Sequence, residues 1–178
     1  MPTETHRLEP ILMEVVRNTY ESKLAFHDPE ITTYVTRLLC EFSEPDRLFR
    51  LRDEQGRPIK DVHAMVQASD PVFGTAASFD AERAARKYIG DYALFATGMC
   101  HEILRSDEGT AEAGLTLDEL IAIGRESYHI VSQFNLCEYE GEAALFARLA
   151  DRFDRCVLGL ALVREEMGER LKLKTICN

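Results

Sequence analysis

The segment Tyr88-Ile89-Gly90-Asp91-Tyr92-Ala93-Leu94-Phe95, continuing through Gly98, constrains the fold of this chain more than any other. Its surroundings have the spacing of one long helix, yet glycine stands at 90 and again at 98. Each glycine costs a helix interior up to about 1 kcal/mol relative to alanine. A helix that accepts this cost twice needs close packing or backbone access at those two points. Asp91 stands beside the aromatic stripe of the same helix, an unusual place for a carboxylate.

The rest of the chain reads as further helices separated by short breakers. The first spans 8–24, with Leu12, Val15, Val16, Thr19 and Tyr20 sharing one face. Asp28 as N-cap and Pro29 at the first helical position open a second, which ends at Phe42 and presents Ile31, Tyr34, Val35, Leu38 and Leu39 on one side. Residues 46–60 fit either a short helix or a short strand, with a turn signal at 53–58. A third helix carries Ile59, Val62, Met65 and Val66 and stops at Asp70-Pro71, and a loop follows to Phe79.

Asp80 is the expected cap of the longest helix, 80–104. At 100° per residue, Ala81, Ala85, Tyr88, Tyr92, Phe95, Met99 and Ile103 form its apolar stripe. Arg83, Arg86, Thr97 and His101 fall opposite, and Asp91, Gly98 and Glu102 line one flank. Residues 105–115 are small and polar, the composition of a mobile loop. Thr116-Leu117-Asp118-Glu119 is a capping box opening a helix to 134 that buries Leu117, Leu120, Ile121, Gly124, Tyr128 and Val131. The last helix, 142–167, has an apolar arc from Leu145 to Val163 broad enough for a central helix or a subunit interface. The expectation is an all-α, single-domain bundle of five to six mostly antiparallel helices over 1–178, with 1–7 and 171–178 as frayed tails.

Composition narrows the function classes. The formal net charge is -10, which repels phosphate backbones and anionic membrane surfaces. Neither nucleic acid nor a membrane is an expected partner. The five cysteines, Cys40, Cys100, Cys137, Cys156 and Cys177, have no metal-clip or redox spacing and suit a reducing cytoplasm. The opening residues carry no apolar signal segment, and the longest apolar run, Cys156 to Val163, falls far short of the ~20 residues that span a bilayer.

The chemical motifs are sparse. Glu126 and His129 have the Glu-x-x-His spacing of di-iron bundles, which use two such pairs and two further glutamates. Here there is one pair, on the face away from Leu120 and Val131, so a solvated pair is the simpler reading. Cys100 and His101 are adjacent on a helix and point about 100° apart, so they form no thiolate–imidazole couple. Asp91 and Glu102 share a flank about 16 Å apart along the axis, too far for a carboxylate pair of the glycosidase kind. Asp91 fits a structural role, paired with an arginine or capping a neighbouring helix. It also fits a polar anchor in a ligand pocket walled by Tyr88, Tyr92 and Tyr128, with Glu102 on the same flank. Phosphate loops, nucleophile elbows and Cys-x-x-Cys pairs are absent from the sequence. Arg164, Arg170, Lys172 and Lys174 complement the dipole at a helix end.

Three segments carry a resemblance: Tyr34 to Leu39 with Phe42, Tyr88 to Gly98, and Gly124 with Ser127-Tyr128 and Val131-Ser132. Together they resemble a family of uncharacterised bacterial all-helical proteins, over most of residues 30–165. Similar proteins carry Phe-Pro where this chain has Cys100-His101. The resemblance implies a shared fold, assigns no activity and transfers no catalytic residue. The sequence therefore leans away from an enzyme and implies no cofactor. Its leading expectation is a homodimeric cytoplasmic interaction or regulatory module, with a homo-oligomer or another protein as its partner. The alternatives are a ligand-binding sensor or enzyme at Asp91 and Tyr128, and a ferritin-like metal protein using Glu126 and His129.

Overall fold

A computed structural model describes residues 5–44, 50–100 and 115–176. Among these are seven α-helices: α1 (Thr5–Leu24), α2 (Pro29–Phe42), α3 (Val62–Ala68), α4 (Phe79–Met99), α5 (Leu117–Gln133), α6 (Glu140–Asp151) and α7 (Phe153–Ile176). The described residues contain no strand, only an isolated bridge between Arg52 and Pro58. The fold is an all-α bundle. Its buried apolar side chains form one cluster drawn from all seven helices.

Local chemistry sets most helix starts. Asp28 accepts from the Ile31 N–H at 3.2 Å, with Pro29 at the first position of α2. The capping box of α5 is complete: the Thr116 hydroxyl accepts from the Glu119 N–H, and the Glu119 carboxylate accepts from the Thr116 N–H. For α4 the cap is Ser78, whose hydroxyl accepts from Ala81, and Asp80 falls inside the first turn. Both residues can cap, so composition alone could not separate them. Helix α3 starts one turn later than its apolar spacing suggests, because Asp61 accepts from the His63 and Ala64 N–H groups. Residues 50–60 are neither helix nor strand but a turn, with Asp53 accepting from the Gln55 and Arg57 N–H groups. Helix α4 ends at Met99 rather than 104, and Cys100 is its C-cap. Leu48, Phe49, His101, Glu102, Ile103, Cys177 and the 105–114 part of the expected loop lie outside the described residues.

Helix α4 is the centre of the bundle. It packs on α2, α3, α5 and α7. A one-sided stripe was expected, yet Ile89, Ala93 and Leu94 are the fully buried residues, and Tyr92, Phe95 and Met99 are only half-buried. Arg83 and Thr97, placed on the polar side by the helical wheel, are buried. A helix covered from several sides has no free polar face, so its threonine satisfies itself by donating to the Ala93 carbonyl at 2.7 Å.

The glycines explain how the neighbours approach so closely. A β-carbon at Gly90 would stand 2.5 Å from the Tyr128 ring of α5, and one at Gly98 would stand 2.4 Å from Leu160 Cβ of α7. At Gly124 it would meet Phe153 at 2.3 Å and Ala93 Cβ at 2.8 Å. The contacts 90 to 128 and 93 to 124 run in opposite senses, so α4 and α5 are antiparallel. Helix α5 buries Leu120, Tyr128 and Val131, but Leu117 at its first turn is exposed.

The last helix of the sequence reading is two helices. Arg152 breaks it, and α7 then runs on to Ile176 rather than stopping near Met167. Neither glycine nor proline marks the break. At the break, Arg152 Nη1 donates to buried Asp28 at 3.3 Å, and Arg148 Nε of α6 donates to the same carboxylate at 2.9 Å. The guanidinium groups of Arg152 and Arg155 also lie over the Phe26 ring, at 5.5 and 5.2 Å. Burial pushes the Asp28 carboxyl up, but the Arg148 hydrogen bond, the Ile31 N–H and the two arginine charges outweigh it and hold the group below its ordinary 3.8.

Two expected outcomes follow from this packing. Gly98→Ala should destabilise the protein by about 1–3 kcal/mol through overpacking against Leu160. Gly168→Ala, where nothing lies within 4 Å, should stabilise it by about 0.5–1 kcal/mol. Urea unfolding reads both, and equal signs would refute the close-approach argument. Asp28→Asn keeps the cap but loses the ionic clamp, at about 2–3 kcal/mol near neutral pH. Because the folded carboxyl lies below 3.8, its contribution is complete above that value and disappears as pH falls through the folded pKa. Parent and variant urea midpoints should therefore converge in acid, and a pH-independent gap would exclude the ionic clamp.

Candidate functional site

Arg83, Lys87 and Asp91 are spaced four residues apart on α4 and so lie in one row. Asp91 is the buried end of that row. Its Oδ1 accepts from the Tyr34 hydroxyl of α2 at 2.5 Å and from the Tyr128 hydroxyl of α5 at 2.7 Å. Its Oδ2 accepts from Lys87 Nζ at 3.0 Å. The Lys87 ammonium also lies 5.2 Å from the Tyr34 ring centre. Three helices thus converge on one carboxylate.

Aromatic rings enclose the cluster. Phe146 of α6 meets the rings of Tyr34 and Tyr128, each at 5.5 Å, and Phe153 meets Tyr128 at 5.7 Å. Burial first, and the Asp91 charge second, push both tyrosine hydroxyls well above 10.0. At neutral pH both stay protonated and act as donors. Neither is a base, and both Asp91 oxygens are engaged by the chain itself. A ligand at this carboxylate would have to displace Lys87, whose side chain is 34% exposed.

Of the residues singled out from sequence, the structure brings Asp91 and Tyr128 together. Tyr88 turns to α2, stacking on Phe42 at 6.2 Å and accepting from the Arg50 N–H at 3.3 Å. Tyr92 lies 6.4 Å from the Tyr88 ring. Glu102 lies outside the described residues. Sequence reasoning missed Tyr34 and Lys87. Lys87 was recoverable, because a lysine four residues from a carboxylate on one helix is a standard pair. Nothing local linked Tyr34 to a residue 57 positions away.

At the other end of the row, the Arg83 guanidinium lies 4.0 Å over the Tyr139 ring and donates to Glu142 at 2.6 Å. Arg83 Nε and the hydroxyl of Ser127 are buried without a partner. Glu126 and His129 are exposed in an open groove of about 540 Å³ that also presents Arg125, Asp151 and Asp154. Arg125 pairs with Asp154 there. Among the described residues, no group of three or more His, Cys, Asp or Glu is arranged to hold a metal ion. Cys100 is half-buried, and burial pushes its thiol up against the opposing Arg164 charge.

One surface feature gave no motif signal. In the loop after α3, Val72 is 71% exposed and Phe73 90% exposed, and Phe79 at the start of α4 is 67% exposed. The loop is built around Asp70, whose carboxylate accepts from the Val72 and Phe73 N–H groups at 2.7 and 2.9 Å. Those two bonds, Phe73 first, hold the Asp70 carboxyl below its ordinary range. Phe73 also lines an open groove of about 530 Å³ between this loop and the 53–61 turn.

No protein-family model, curated protein or solved structure shows a significant match to this chain.

The Asp91 cluster yields a stability test. Tyr34→Phe and Tyr128→Phe should each cost about 1.5–3 kcal/mol, as expected for a hydrogen bond to a charged group. Both hydroxyls serve the same oxygen, so the double variant should depart from additivity by more than about 0.5 kcal/mol. Single variants indistinguishable from the parent in urea would show that the cluster does not hold the helices together.

Proposed function

We propose that the chain is a protein-interaction module and that Val72, Phe73 and Phe79 form its contact face. The observation that carries this reading is the 90% exposure of Phe73 on a loop held in place by hydrogen bonds. Large exposed apolar patches on a folded chain mark interaction sites. Burying one phenylalanine side chain in a partner contributes about 1.5–3 kcal/mol, enough to anchor an interface.

Other features support the same class. The apolar arc of the last two helices is largely engaged within the chain, with Phe146, Leu149, Phe153, Cys156, Leu160 and Val163 all buried. That moves the proposed contact away from α7, where, among the side chains described, Leu158 is the strongly exposed large hydrophobic. Cys40, Cys100, Cys137 and Cys156 are free thiols, which suits the cytoplasm. The net charge of -10 disfavours nucleic acid as the partner. A small-ligand site at Tyr88, Asp91, Tyr92 and Tyr128 is the weaker reading, because the carboxylate already has three donors.

The test is photo-crosslinking in the cells that make the protein. A benzophenone side chain replaces Phe73 in one variant and exposed Arg17 of α1 in a control. A discrete adduct from position 73 and none from position 17 is the expected result. Equal labelling from both positions, or none from 73, would refute the assigned face.

A further inference from the structure

We draw no further inference here: the strongest candidate, the open groove between α5 and the α6–α7 break that presents Glu126, His129, Asp151 and Asp154, is an acidic cluster in which Arg125 already pairs with Asp154, and nothing among the described residues points to a ligand there.

Discussion

The Tyr128 ring occupies the space where a side chain at position 90 would begin, and the rest of the structure depends on that approach. With glycine there, α5 closes on α4 until the Tyr128 hydroxyl reaches Asp91 at 2.7 Å. A methyl group would hold the helices apart and lengthen that bond. The same device recurs where Leu160 meets Gly98, Phe153 meets Gly124 and Tyr20 meets Gly159. Each glycine gives up about 1 kcal/mol of helix propensity. Each also lets a large neighbouring side chain bury, which returns about 1.5–3 kcal/mol. Packing and the polar cluster are thus one constraint.

That cluster decides register more than it adds net stability. A buried ion pair is weak evidence for stabilisation, because desolvation offsets much of the attraction. A carboxylate with donors from α2, α4 and α5 is nonetheless satisfied in only one alignment of the three. Sliding one helix by a turn, about 5.4 Å, would strand the charge in an apolar surround of Phe146 and Phe153. The Asp28 clamp joins α2 to α6 and to Arg152 at the α6–α7 break, as Asp91 joins α2, α4 and α5. Both nodes involve α2, so that short helix ties the two ends of the chain to its centre.

The legible parts of the fold were those whose cause is local. Asp28-Pro29, the Thr116–Glu119 box and the paired glycines at 90 and 98 each carry their physics within a few residues. The break at Arg152 was not legible, because neither glycine nor proline marks it and the ionic partner of Arg152, Asp28, lies 124 residues away in sequence. The buried face of α4 was misplaced for a related reason. A helical wheel finds the most hydrophobic side, but a central helix is buried on several, with alanine, glycine and threonine where neighbours are closest. Of the candidate site, Asp91 and Tyr128 were readable as a carboxylate and a ring on facing helices. Tyr34 was not, since the link spans 57 residues and one intervening helix, α3.

The contrast between interior and surface is what supports the proposed contact reading. Inside, the most unusual carboxylate has its oxygens filled by two phenols that keep their protons and by an ammonium. Those three donors satisfy the Asp91 carboxylate from within the chain. Outside, Asp70 and Gly74 combine to hold Phe73 in water, against the hydrophobic effect. A loop that needed only to join α3 to α4 would gain by a polar residue there, because exposed aromatic surface invites aggregation. An aromatic ring so placed, on a frame that only glycine can complete, is an organised feature whose exposure in the single chain makes physical sense when another surface covers it.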